Sequence, residues 1–150
     1  MGATGAGGSR VRTSKPASEK TFGIRNARRL QTGTNIPNAG FKPTDDTITI
    51  AADTDEGKDI VFQFKLLKGD KMKITAYDPN VPSKGRVSVN ADRPSLDAVM
   101  TNPKATTEDK QNAMKIRDMF QRTDSGIKES SLGRIANELK KKARKKGRRV

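Results

Sequence analysis

The sequence predicts a small α+β domain over residues 45–139: an antiparallel β-meander of four short strands packed by two or three short helices, with long basic N- and C-terminal extensions. Three observations predict it. The first is where the charge sits. Residues 1–44 hold eight Lys/Arg and one acid, residues 45–133 hold fourteen Lys/Arg and fifteen acids, and residues 134–150 hold nine Lys/Arg and one acid. The whole excess of +14 therefore lies at the two ends of a near-neutral middle. The second is that apolar residues alternate at every second position between residues 47 and 90, the period of a half-buried strand. The third is that beyond residue 95 they recur at three and four, the period of an amphipathic helix. Only 31% of the 150 residues are apolar and 4% aromatic, so much of the chain lies outside any core.

Taken in order, residues 1–44 read as a basic, largely extended arm and strap. Gly, Ser, Thr and four cations fill residues 1–20. "TFGIRNARRLQ" (21–31) has Phe22, Ile24, Ala27 and Leu30 at roughly helical spacing and predicts a short helix. Gly33, Pro37, Gly40 and Pro43 then punctuate an extended strap. The strands come next as "TITIAA" (47–52), "DIVFQFKLL" (59–67), "MKITAY" (72–77) and "RVSVN" (86–90). In the second of these Ile60, Phe62, Phe64 and Leu66 share one face. Lys68-Gly69-Asp70-Lys71 predicts a tight turn, because glycine reaches backbone angles closed to other residues. The polar faces of these strands are expected to meet solvent. "RPSLDAVMTNP" predicts a short helix opening at Ser95, and "TTEDKQNAMKIRDMFQR" (106–122) a longer one with Thr caps and acids in its first turn. Met72, Met114 and Met119 read as core. In "SSLGRIANELKKKARKKGRR" Leu132, Ile135, Ala136, Leu139 and Ala143 make a stripe that fades where the cations begin. The helix is expected to dock by its first half and to project its charged half away, so that residues 140–150 form a basic tail continuing it.

That tail is the strongest functional signal. Lys140, Lys141, Lys142, Arg144, Lys145, Lys146, Arg148 and Arg149 place eight cations in ten residues. Charge of one sign at this density repels itself, and it can neutralise several phosphates with release of their counterions. Arg10, Arg12, Arg25, Arg28 and Arg29 extend the expected nucleic-acid contact to the N-terminal arm, among small residues that let a backbone approach phosphate closely. Phe22, Ile36 and Phe41 in the strap, with Leu132, Ile135 and Leu139 in the last helix, are the expected docking residues for partner subunits. Few aromatics stand outside the domain to stack on bases, so contact without sequence preference is expected.

Several chemistries are closed to this composition. With no Cys and no His, disulfides, thiol catalysis, Cys/His zinc sites and imidazole-based triads are out. No run approaches the roughly 18–20 apolar residues of a membrane span, and the start lacks the apolar segment of a signal peptide. "FQFKLLK" puts Gln63 and Lys65 on one strand face after Asp53, Asp55, Glu56 and Asp59, which raises a metal-dependent nuclease of the acid-x-Lys kind. Gln63 stands where that arrangement wants its second acid, so the favoured expectation is a plain amphipathic strand. No cofactor, no metal and no small-molecule substrate are expected.

The expected function is a non-enzymatic structural component of a nucleoprotein assembly, of the virion internal or connector kind or ribosome-like. Its basic arms would bind nucleic-acid backbone, DNA or RNA, and neighbouring subunits. A virion or the cytoplasm is the favoured setting, with nucleus or organelle as alternatives. The rival expectations are a protein–protein adaptor without nucleic-acid contact and, behind it, the small nuclease.

Overall fold

A computed structural model describes residues 24–54, 59–78, 85–121 and 127–145. Five strands form one antiparallel sheet in which each pairs with its neighbours in sequence: β1 (Ile24–Arg29), β2 (Thr47–Thr54), β3 (Asp59–Leu66), β4 (Met72–Tyr77) and β5 (Arg86–Ala91). Three helices come after them, α1 (Leu96–Met100), α2 (Thr107–Gln121) and α3 (Leu132–Lys145), the last preceded by a 3₁₀ turn at Glu129–Ser131. The fold is α+β. The meander has one strand more than the sequence predicts, and that strand arises from the stretch expected to be helical. β1 carries a bulge between Arg25 and Arg28, where Asn26 takes a positive φ of 60°. An inserted residue stretches the two-residue repeat of a strand to three, so Ile24 and Ala27 mimic helical spacing. Asn is among the few residues that accept this backbone conformation readily.

Register puts the apolar residues of the strands on one face. Ile48 lies opposite Phe64, Phe64 opposite Ile74, and Ile74 opposite Val89. α2 and α3 cover this face, α2 against β5 and α3 against β3 and β2. Phe120 of α2 seats its ring 4.8 Å from Phe62 and 6.5 Å from Phe64, the only such ring cluster among the described residues. Ser95 caps α1 by accepting the Asp97 N–H, and Thr106 caps α2 by accepting that of Asp109. Arg117 ties the helical layer together, reaching Asp97 at 2.9 Å and Glu129 at 3.1 Å. Met72 and Met119 are buried as expected, but Met114 points outward and is 60% exposed.

The second face is not left to solvent. Residues 31–46 cross it as a strap, with Gln63 Nε2 donating to the Lys42 carbonyl at 2.8 Å and Arg86 Nη1 to the Gly40 carbonyl at 3.1 Å. Thr49, Ala51, Val61 and Thr75 are buried beneath it. Gly40 has φ +75°, a conformation that favours glycine, and a Cβ there would stand 3.1 Å from Arg86 Nη1, so the guanidinium would have to give by a few tenths of an ångström. The residues that bury as the strap's anchors are Ala39 and Pro43, whereas the expected anchors Ile36 and Phe41 are only half-buried. The folded unit thus takes in part of the stretch that the sequence assigns to the arm. At the far hairpin the Leu67 N–H donates to the Lys71 carbonyl at 2.9 Å, closing the expected turn, with Gly69 at φ +71°.

Candidate functional site

The expected cationic element is α3 together with the chain after it. Its stripe docks the helix: Leu132, Ile135, Ala136 and Leu139 are buried in the domain's own core. Leu132, Ile135 and Leu139 therefore serve this chain's packing, and the area expected to meet a partner is taken up by the sheet. At about 100° per residue, Arg134, Asn137, Lys141, Arg144 and Lys145 share roughly a third of the circumference, and all five are exposed on the side away from the sheet. Lys140 and Lys142 flank them. Cations in the last turn also complement the carbonyl end of the helix dipole, which helps an otherwise self-repelling segment stay helical.

The contacts of α3 give its direction. Arg29, paired in register with Ile50 of β2, holds Glu138 through Nη1–Oε2 at 2.7 Å and Nη2–Oε1 at 2.6 Å. One turn further on, Lys142 Nζ donates to the carbonyl of Thr47, the first residue of β2, at 3.2 Å. The helix therefore runs toward the start of β2, and its last turn reaches the end of the sheet. Docking continues one turn past the point where the apolar stripe fades, because the lysine stem can lie along the surface while its ammonium finds a carbonyl.

The arginines of β1 described by side chain, Arg28 and Arg29, are engaged within the fold. Arg28 Nη1 pairs with Asp53 Oδ1 at 2.9 Å and also donates to the Asn26 carbonyl at 3.2 Å. Arg29 makes the two-pronged pair with Glu138, a geometry that suits the flat guanidinium fork. The hydrogen bonds from Arg29 hold the Glu138 carboxyl below the usual carboxylate range against the opposing effect of burial, with the positive charges of Arg29, Lys142 and Arg134 adding to the depression. The same hydrogen bonds push Arg29 further up. Both arginines thus tie β1 to β2 and α3. The signal that could have found these ties is acid placement, but Glu138 lies 109 residues from Arg29 and nothing local links them.

Other expected site residues, Arg10, Arg12, Phe22, Lys146, Arg148 and Arg149, lie outside the described residues, as does the side chain of Arg25. In the nuclease constellation, Gln63 uses its amide to hold the strap, donating also to Thr49 Oγ1 at 3.3 Å. Lys65 lies 3.9 Å from Asp46. Asp55 and Glu56 fall outside the described residues, and among the described ones no three His, Cys, Asp or Glu gather as a metal site. No helix among the described residues is long and apolar enough to cross a membrane. Comparison with protein-family models, with curated proteins and with solved structures finds no match to this chain.

Proposed function

We propose that this chain is a non-enzymatic structural component of a nucleoprotein assembly, of the virion internal or ribosomal kind, and that α3 with the cations after it grips nucleic-acid backbone. The observation that carries this reading is the exposed row Arg134, Lys141, Arg144 and Lys145 on a helix whose opposite side is buried in the core. A docked helix holds its cations in place before any partner arrives, which lowers the ordering cost of binding. From Arg134 to Lys145 the row extends about 16 Å along the helix axis, at about 1.5 Å per residue. Three further cations stand in residues 146–149 of the sequence. An elongated polyanion fits this run better than a compact ligand does. Phosphate contacts of this kind position a nucleic acid without reading its sequence.

The test is a salt titration of binding to two unrelated duplexes and a single strand. The wild-type chain is expected to weaken steeply with salt and alike on both duplexes. Replacing Lys141, Arg144 and Lys145 by Gln leaves the core untouched and is expected to reduce the log–log slope by about 2–3, at roughly 0.9 per phosphate contact. A salt-insensitive interaction, or an unchanged slope in the triple variant, would transfer the function to the adaptor reading, in which the strap and the last helix bind partner proteins and the charge is secondary.

A further inference from the structure

We propose that Lys65 and Lys73, set directly opposite each other on the strap side of the sheet, form a second contact for the same nucleic-acid backbone, continuous with the cations of α3 around one end of the sheet. This rests on the nucleic-acid reading above and extends it from the helix to a surface that the sequence marks as a plain strand face.

Register builds this surface. Thr47 lies opposite Lys65, Lys65 opposite Lys73, and Lys73 opposite Asn90, one row across four strands. Lys65 is two residues from Gln63, whose amide holds the strap, so alternation puts the row on the strap side. Both lysines are exposed, and the row lies beyond the strap's crossing at Gln63. Residues opposed in an antiparallel pair have Cα atoms about 4.5–5.5 Å apart, and like charges placed so destabilise the sheet. Little offsets that repulsion here. Lys65 reaches Asp46 only at 3.9 Å, and Lys73 has no carboxylate partner among the described residues. A bound polyanion would relieve it.

The row also ends where the helix does. Thr47, its first member, is the residue whose carbonyl receives Lys142, so the lysine row and the last turn of α3 meet at one end of the sheet on its two sides. Lys68 and Lys71 of the neighbouring hairpin turn are exposed at the same end. A single small anion could not span from the sheet row to the helix row. A phosphate backbone lying across this end touches both.

The experiment compares salt slopes on one duplex of about 20 base pairs for the full chain, for Lys65→Thr/Lys73→Thr, and for a control of equal charge, Lys115→Gln/Lys128→Gln. Both control positions are exposed, one on α2 and the other ahead of the start of α3. The lysine-row variant is expected to lose about 1–2 units of slope, from up to two contacts at roughly 0.9 each, while the control keeps the wild-type slope. Its thermal midpoint is expected to stay level or rise as the repulsion goes. If the Thr pair does not fold, Lys65→Gln/Lys73→Gln keeps the side-chain stems and carries the same expectation. An unchanged slope in the row variant, or an equal loss in the control, overturns the second contact while leaving the helix reading in place. Absence of salt-dependent binding by the wild-type chain brings down the nucleic-acid reading and this contact with it.

Discussion

Two sets of cations in this chain look alike in sequence and are used differently. Arg28 and Arg29 of β1 each face a carboxylate within 3 Å, Asp53 and Glu138, and knit the edge strand to β2 and α3. Lys141, Arg144 and Lys145 of α3 stand exposed on a surface with no acid of its own helix nearby except Glu138, which is already engaged. The difference teaches that cation density in a sequence overstates binding capacity wherever acids fold back onto it. Exposed pairs of this sort contribute at most about 1 kcal/mol each, so the first set acts by fixing geometry more than by adding stability. The exposed cations left after such pairing, Arg134, Lys141, Arg144 and Lys145, are the ones on which the proposed interface rests.

The largest effect that would break this comparison comes from the core beneath the second set. Leu139 is buried one residue ahead of the cationic run. Leu139→Ala is expected to destabilise the fold by about 2–5 kcal/mol, measurable by urea denaturation. Affinity for a duplex is expected to fall together with stability, because the row loses the support that holds it in place. Affinity that survives the loss of docking would show that the row works as a loose tail and needs no helix.

Removing the first set should have the opposite character. Arg28→Gln/Arg29→Gln deletes two charges, as many as any pair in the helix row, yet is expected to leave the salt slope within about 0.5 of wild type because each charge is already paired with a carboxylate. Stability should fall by about 1 kcal/mol, the scale of two exposed pairs. A slope reduced by about 2, as two phosphate contacts would give, would return both arginines to the interface.

How much of this was legible in the sequence depends on the range of each signal. β2 to β5 and all three helices stand close to where alternation, caps and helical spacing put them, since those signals are local. Ser95 and Thr106 cap where expected. β1 was missed because a bulge changes its period. The covering of the sheet's second face was missed because the strap is held through the carbonyls of Gly40 and Lys42, and every residue type has a carbonyl. The Lys65–Lys73 pairing was within reach. With Ile60, Phe62, Phe64 and Leu66 on one face, a hairpin around Gly69 must set Leu66 against Met72, and Lys65 then meets Lys73. The ties of Arg28 and Arg29 were not, because their acids are 25 and 109 residues away and only the fold brings them together.

The smallest expected effect isolates the single carboxylate that separates the two sets. Glu138 holds Arg29 and sits one turn before Lys142, so its ionised form makes the pair that links β1 to α3. Its carboxyl is depressed in the fold, chiefly by the hydrogen bonds from Arg29. A depressed acid binds protons more tightly when the chain is unfolded. Its stabilisation is therefore fully present above the unfolded value of about 4.3, and disappears as pH falls through the lower, folded value. Arg29, raised from an already high value, keeps its proton in both states throughout that window and adds no pH dependence there. Glu138→Gln should thus destabilise by about 0.5–1 kcal/mol at pH 7, the scale of an exposed pair with good geometry. The difference from wild type should shrink toward zero as pH drops below about 4. Paired urea titrations of the two chains at pH 7, 5 and 3.5 read this directly. A difference that keeps its full pH 7 size at pH 3.5, below the unfolded value of about 4.3, would mean that Glu138 acts through packing, and the tie between β1 and α3 would then have to be sought elsewhere along the strand.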